Sequence, residues 1–193
     1  MTAGDDQGSL LPQGLRVVPD FVSQKAAQRL LDLIDASDWR ADLKRRVQHY
    51  GWRYDYRERR VTNDMRLGPL PDWLLPAAET VGDLAEFNQR PDQVIINEYL
   101  PGQGISAHVD CVACIGPAIA SLSLGGEVEM VFRKRATWER RSVILEPANL
   151  LILSGEARYE WTHEIPARKS DVIEGARQPR NRRVSLTFRT MSL

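Results

Sequence analysis

A chain of 193 residues, 42% hydrophobic and 27% charged, can bury one full core but hardly two, and its make-up excludes a fibrous or wholly disordered protein. Lys plus Arg and Asp plus Glu balance at 26 each, so bulk charge selects no polyanionic partner and local clusters must carry that question. No apolar run approaches the roughly 20 residues that cross a bilayer, and the opening MTAGDDQGSLLPQG lacks the basic and apolar regions of a secretory signal. A cytoplasmic protein without membrane contact is therefore expected, with its two cysteines, Cys111 and Cys114, reduced.

Residues 1–14, rich in Gly, Asp and Gln, are expected to be disordered. Residues 15–193 then form one domain, acting as a monomer. LRVVPDF predicts a strand. In SQKAAQRLLDLIDASDW, Ala27, Leu30, Leu31 and Ile34 fall on one face of a helix, with Ser23 as its N-cap. VQHYGWRYDYRERRV is a hairpin or a long loop, and the Pro-rich LGPLPDWLLP opens a second helix over roughly 76–87. From Val94 onward the pattern turns to short strands: VIINEYL, ISAHVD, AIASLSLG, EVEMVFR, RSVILE, NLLILSG and RVSLTFRT. Each is bounded by Gly, Pro, Asn or charged residues. Strands following helices indicate an α+β domain with a jelly-roll or barrel core and the N-terminal helices packed on the sheet. There is no internal repeat and no linker.

His108 and Asp110 stand two apart in SAHVDC. On a strand such positions face the same side, so both can reach one ion. His163 follows 55 residues later, after LLILSG. Two histidines and one carboxylate form the facial triad of non-haem iron(II) oxygenases, which leaves positions open for a chelating cosubstrate and O2. The same set also makes catalytic zinc sites, and a His-x-Asp pair arises by chance. In RRVSLTFR, Arg183 and Arg189 lie six residues apart, so an extended strand turns both guanidinium groups to one face. Val184, Leu186 and Phe188 turn to the other. Inward cations near a metal call for an anion, and a dicarboxylate suits bidentate arginines. The plainer alternative is a pair of surface ion pairs on an edge strand.

Taken together, NEYLPGQGISAHVD, SLSLG, LLILSGEARYEWTH and RRVSLTFR resemble the AlkB family of iron(II)/2-oxoglutarate dioxygenases, over roughly residues 94–190 and more loosely from about 15. The resemblance implies a double-stranded β-helix (jelly-roll) that uses Fe(II), 2-oxoglutarate and O2. It implies that His108, Asp110 and His163 are the iron ligands and the catalytic centre. Arg183 would pair with the far carboxylate of 2-oxoglutarate with help from the Tyr99 hydroxyl, and Arg189 and Asn97 would contact its near end. Ser185 stands where many repair members carry Asn, and offers a smaller donor. The activity implied is oxidation of a substrate C–H bond, by demethylation or hydroxylation, with no protein acid or base needed.

The family implies a modified base in DNA or RNA as substrate. Trp52, Tyr54 and Tyr56, interleaved with Arg53, Arg57, Arg59 and Arg60, occupy the place of its nucleotide-recognition lid. Aromatic faces there would stack on an extruded base while arginines hold phosphates. The alternative is a core-packing hairpin with a solvated arginine face. RKRATWERR and RQPRNRR are further basic stretches of the same ambiguous kind. Val112 replaces the acidic residue that repair members usually place two positions after the metal Asp. This and the motif wording favour the branch that hydroxylates modified tRNA wobble uridines, although no RNA-recognition or methyltransferase domain accompanies this chain. Two other readings share the fold: a dioxygenase acting on protein side chains, and a catalytically silent binding module. Cys111-x-x-Cys114 has too few neighbouring donors for zinc and no thioredoxin-like βαβ context.

Overall fold

The computed structural model describes residues 11–41, 44–58 and 60–192. In chain order the elements are β1 (Leu15–Val18), α1 (Gln24–Asp35), β2 (Val47–Tyr50), a 3-10 turn (Asn63–Met65), α2 (Leu75–Gly82), β3 (Gln93–Tyr99), β4 (Ile105–His108), β5 (Ile115–Gly125), β6 (Val128–Lys134), β7 (Arg140–Leu145), β8 (Leu150–Leu153), α3 (Gly155–Tyr159), β9 (Trp161–Ile165), β10 (Ser170–Ile173), β11 (Ala176–Pro179) and β12 (Arg183–Met191).

All strand pairs are antiparallel, in a six-stranded sheet ordered β1-β8-β5-β12-β3-β2 and a four-stranded sheet ordered β4-β9-β6-β7, with β10 and β11 as a separate hairpin. Side chains alternate along each strand, which gives the large sheet two apolar faces. Val94, Ile96, Leu122, Leu150, Val184, Leu186 and Phe188 pack with Leu30 and Ile34 of α1 and with Ala78 and Val81 of α2. The N-terminal helices therefore cover one face, as the sequence predicts. On the opposite face, Tyr99, Leu151 and Leu153 meet Val128, Met130, Phe132 and Trp161 of the smaller sheet. The result is a jelly roll with helices on one side and a cavity between its sheets. Ser23 caps α1, its Oγ accepting from the Ala26 N–H at 3.2 Å, which satisfies one of the orphan donors of the first turn.

Residues 1–10 of the expected disordered terminus lie outside the described residues. Leu11 to Gly14 are tied down: the Gln13 and Gly14 carbonyls accept from the N–H groups of Ala157 and Ser154, and Leu11 packs on the inter-sheet core. The second helix is shorter than predicted, ending at Gly82. Among the described residues no helix is long and apolar enough to cross a membrane.

Candidate metal centre and its cavity

The floor of the cavity is written on β12. Its register with β3 and β5 sets Arg183 between Tyr99 and Gly125, Ser185 between Asn97 and Ser123, Thr187 between Ile95 and Ser121, and Arg189 between Gln93 and Ile119. These residues share one face because alternate positions must, and the intervening Val184, Leu186 and Phe188 are buried on the helix side. A cavity of about 610 Å³ opens over Ser185, Thr187 and Arg189 of this face, lined among others by Tyr54, Tyr56, Asn97, Tyr99, His108, Asp110 and His163; Arg183 lies outside that lining.

The two histidines reach it from the facing sheet. His108, the last residue of β4, is paired directly with His163 in the middle of β9, and their rings lie 4.3 Å apart. Asp110 is not on the strand, as the His-x-Asp spacing suggested, but two residues past its end. It converges all the same, with Oδ1 at 3.9 Å from His108 Nε2. The His108 Nδ1–H donates to the Ser106 carbonyl at 2.7 Å, which leaves the Nε2 lone pair directed at the cavity, the arrangement metal-ligating histidines use. Burial, reinforced by the neighbouring His108, pushes the His163 pKa down to about 3, so this ring is neutral and its lone pair available at pH 7. Burial would raise the Asp110 pKa, but Arg189 foremost, then His163 and His108, hold the carboxyl far below the usual range. It is an anion.

Among the described residues no three His, Cys, Asp or Glu side chains are drawn to a common point as a ready-made metal cage. The direct pairing of His108 with His163 nevertheless fixes their proximity through the backbone, and side-chain rotation does not disturb it. Two imidazoles and one carboxylate are a donor set that suits a divalent first-row ion.

Arg183 is 2% exposed. Its Nη2 donates to Ser123 Oγ at 2.8 Å and the Tyr99 ring stands 5.5 Å from its guanidinium carbon, yet Nε and Nη1 have no partner. Burial lowers its pKa to about 10, which still leaves it charged at neutral pH. A buried cation with two idle donors is costly unless an anion meets it. Arg189 behaves differently: its Nη2 donates to Asp110 Oδ1 at 2.8 Å, so it already neutralises the carboxylate. Asn97 accepts from Arg45 Nε through Oδ1 at 2.9 Å, which leaves its NH2 group to face the cavity.

The expected lid is divided. Tyr54 and Tyr56 line the cavity and meet edge to face, with ring centroids 5.1 Å apart. The Tyr54 N–H donates to His49 Nδ1 at 3.1 Å, and burial pushes the Tyr56 hydroxyl up to about 12. Trp52 lies outside the lining; its indole N–H donates to Asp92 Oδ2 at 3.0 Å and its ring packs beside Val61, Met65 and Ile119. Arg53 is exposed and also lies outside the lining, and Arg59 falls outside the described residues. In compensation Lys44 and Arg45 line the cavity. Neither was among the expected site residues, although the basic KRR run ahead of β2 was the available signal. Cys111 and Cys114 form a disulfide with Cα atoms 5.7 Å apart. The C-x-x-C turn brings the sulfurs together as that spacing permits, where reduced thiols were expected.

The chain matches the family described as the 2OG-Fe(II) oxygenase superfamily over residues 14–189. It is 38% identical over 199 residues to the Arabidopsis thaliana alkylated DNA repair protein ALKBH8 homolog, covering 91% of this chain and 58% of that one. It is 41% identical over 169 residues to the Xenopus tropicalis tRNA (carboxymethyluridine(34)-5-O)-methyltransferase alkbh8, covering 85% and 27% respectively. The chain thus spans only part of the length of these relatives. The solved structure of OsALKBH1 shares the fold, with a TM-score of 0.66 at 17% identity, covering 93% of this chain and 98% of that one.

Proposed function

Since the chain belongs to the 2OG-Fe(II) oxygenase superfamily, and within it to the AlkB family, we propose that His108, Asp110 and His163 hold its iron(II) and that the enzyme oxidises modified bases of nucleic acid. It is an Fe(II)/2-oxoglutarate-dependent dioxygenase using iron(II), 2-oxoglutarate and O2. When bound, the iron with its cosubstrate and O2 supplies the oxidising power that inserts oxygen into a substrate C–H bond while 2-oxoglutarate is decarboxylated to succinate.

The observation that carries the reading is the buried Arg183 with two idle donors on the same strand face as Ser185 and Arg189, which line the cavity together with the two paired histidines although Arg183 itself is not part of that lining. Arg183 takes the far carboxylate of 2-oxoglutarate, and the Tyr99 hydroxyl assists. Asn97, through its NH2 group, Ser185 and Arg189 hold the near end. The Ser106 carbonyl keeps His108 in the tautomer that offers Nε2.

At the rim, Tyr54 and Tyr56 offer ring faces to a base, and Lys44 and Arg45 offer charge to its phosphates or to an acidic base substituent. Val112 lies outside the cavity lining; standing where repair members usually carry an acidic residue, it gives no acceptor for a cationic methylated base, which favours a modified uridine. The carboxymethyluridine in the frog relative's name points the same way. The substrate favoured is therefore a tRNA carrying such a base. Incubation with iron(II), 2-oxoglutarate and ascorbate, offering tRNA, methylated single-stranded DNA and RNA, and peptides, tests this. Succinate should form above background with tRNA, and H108A should abolish it. Turnover with peptides alone would overturn the nucleic-acid reading.

A further inference from the structure

Asp110 reaches the cavity from a segment that neither sheet holds. β4 ends at His108 and β5 begins at Ile115, so the carbonyls between must find donors elsewhere. Arg158 supplies two. Its Nη1 donates to the Asp110 carbonyl at 3.1 Å and its Nη2 to the Cys111 carbonyl at 2.9 Å. The side chain is 2% exposed, and its Nε has no partner.

A buried guanidinium is an expensive way to satisfy two carbonyls, which a neutral donor would serve at less cost. What the planar fork adds is geometry: it grips two successive carbonyls at once and so fixes the peptide between them. The result is a cross-tie. The short stretch from α3 into β9 delivers His163 and at the same time clamps the backbone that delivers Asp110. Arg189 holds the carboxylate itself, so Asp110 is gripped at both ends.

We infer that Arg158 is a positioning residue that sets the direction of Asp110 and thereby the metal affinity of the site. The inference rests on the iron reading above. Its test is a Mn(II) titration by calorimetry, without 2-oxoglutarate, on the parent protein and on H108A, R158M and R158K. Removing such an outer partner typically weakens metal binding about 10- to 100-fold, and R158M should do so while retaining a parent-like circular dichroism spectrum and a cooperative melt. R158K should recover part of the loss, because an ammonium reaches a carbonyl but cannot span two in one plane. The 2-oxoglutarate requirement at saturating metal should stay within about twofold of the parent, since Arg158 touches no cosubstrate position.

Folded R158M with parent-like Mn(II) affinity would overturn the role of Arg158 alone. Parent binding that H108A leaves unchanged would overturn the iron reading instead. Should R158M not fold, R158K decides by the same titration, and failure of both to fold would assign Arg158 a purely structural role.

Discussion

The chemistry of this site rests on a few side chains whose surroundings are unusual for their type. Arg183 is the clearest. Its charge is buried, one nitrogen is used by Ser123, and two are idle. A charge-assisted hydrogen bond is worth about 1.5–3 kcal/mol, so R183M should raise the 2-oxoglutarate KM roughly 10- to 100-fold with little change in Mn(II) affinity. An unchanged KM would remove Arg183 from the cosubstrate site. At this scale the sequence was informative wherever spacing and residue type acted together. The even separation of Arg183 and Arg189 announced a shared face. The resemblance gave the two arginines different roles, but nothing local says that Arg189 donates to Asp110 while two nitrogens of Arg183 are idle. Trp52 and Tyr54 looked alike in the same aromatic run, yet the Asp92 carboxylate, 40 residues away in sequence, claims the indole. Arg158 went unnoticed because its partners lie 48 and 47 residues away.

Elements were legible where apolar alternation was strong. β3, β5, β8 and β12 stand nearly where their patterns placed them, since each carries a buried face. β9 was missed: WTHEI is short and polar at its centre, and its strand character comes from pairing with β4 and β6 rather than from its own pattern. β10 and β11 are likewise short and polar, and β11 is wholly exposed. Asp110 was expected on β4, but the strand stops at His108 and its ladder with β9 is irregular between Ile105 and His108. The entry to that strand is equally constrained. A Cβ on Gly104 would lie 2.1 Å from the Ile165 carbonyl oxygen and 2.9 Å from Ala167 N, so the backbone of β9's end would have to yield. G104A should therefore cost about 1–3 kcal/mol, seen as a Tm lowered by roughly 2–4 °C per kcal/mol, and should weaken Mn(II) binding by displacing His108 from His163. A parent-like melt and titration would show that the strands can part without consequence.

For the whole molecule, ion networks hold the β10–β11 hairpin and the end of β3. Asp171 is engaged by Arg180 and Arg168, and Glu98 by Arg46 and Arg182. Burial would raise the Asp171 pKa, but hydrogen bonds led by Arg180 hold it below 3.8. The hydrogen bond from Arg46 leads those holding Glu98 below 4.5. Groups depressed on folding contribute stability that is complete above their unfolded values and lost as the pH falls through the folded ones. Tm should therefore stay level from pH 7 to about 5, then drop, and D171N should make the drop shallower. A Tm that holds to pH 3 would count against these networks. The general plan of helices on one face and a jelly-roll cavity on the other was legible because it follows from alternation and element order. The contents of the rim were not, because they come from segments without periodic pattern. That contrast has a bearing on how such a molecule can diversify. β12 reads out core and chemistry on alternate residues and is zipped along both edges, so inserting or deleting one residue would exchange grease for guanidinium along its whole length. New specificities must instead arise by single replacements on the floor, or by changes of length in the stretch between β2 and α2, which is tied only by the isolated bridges Trp52–Arg66 and Asp55–Arg60 among the described residues.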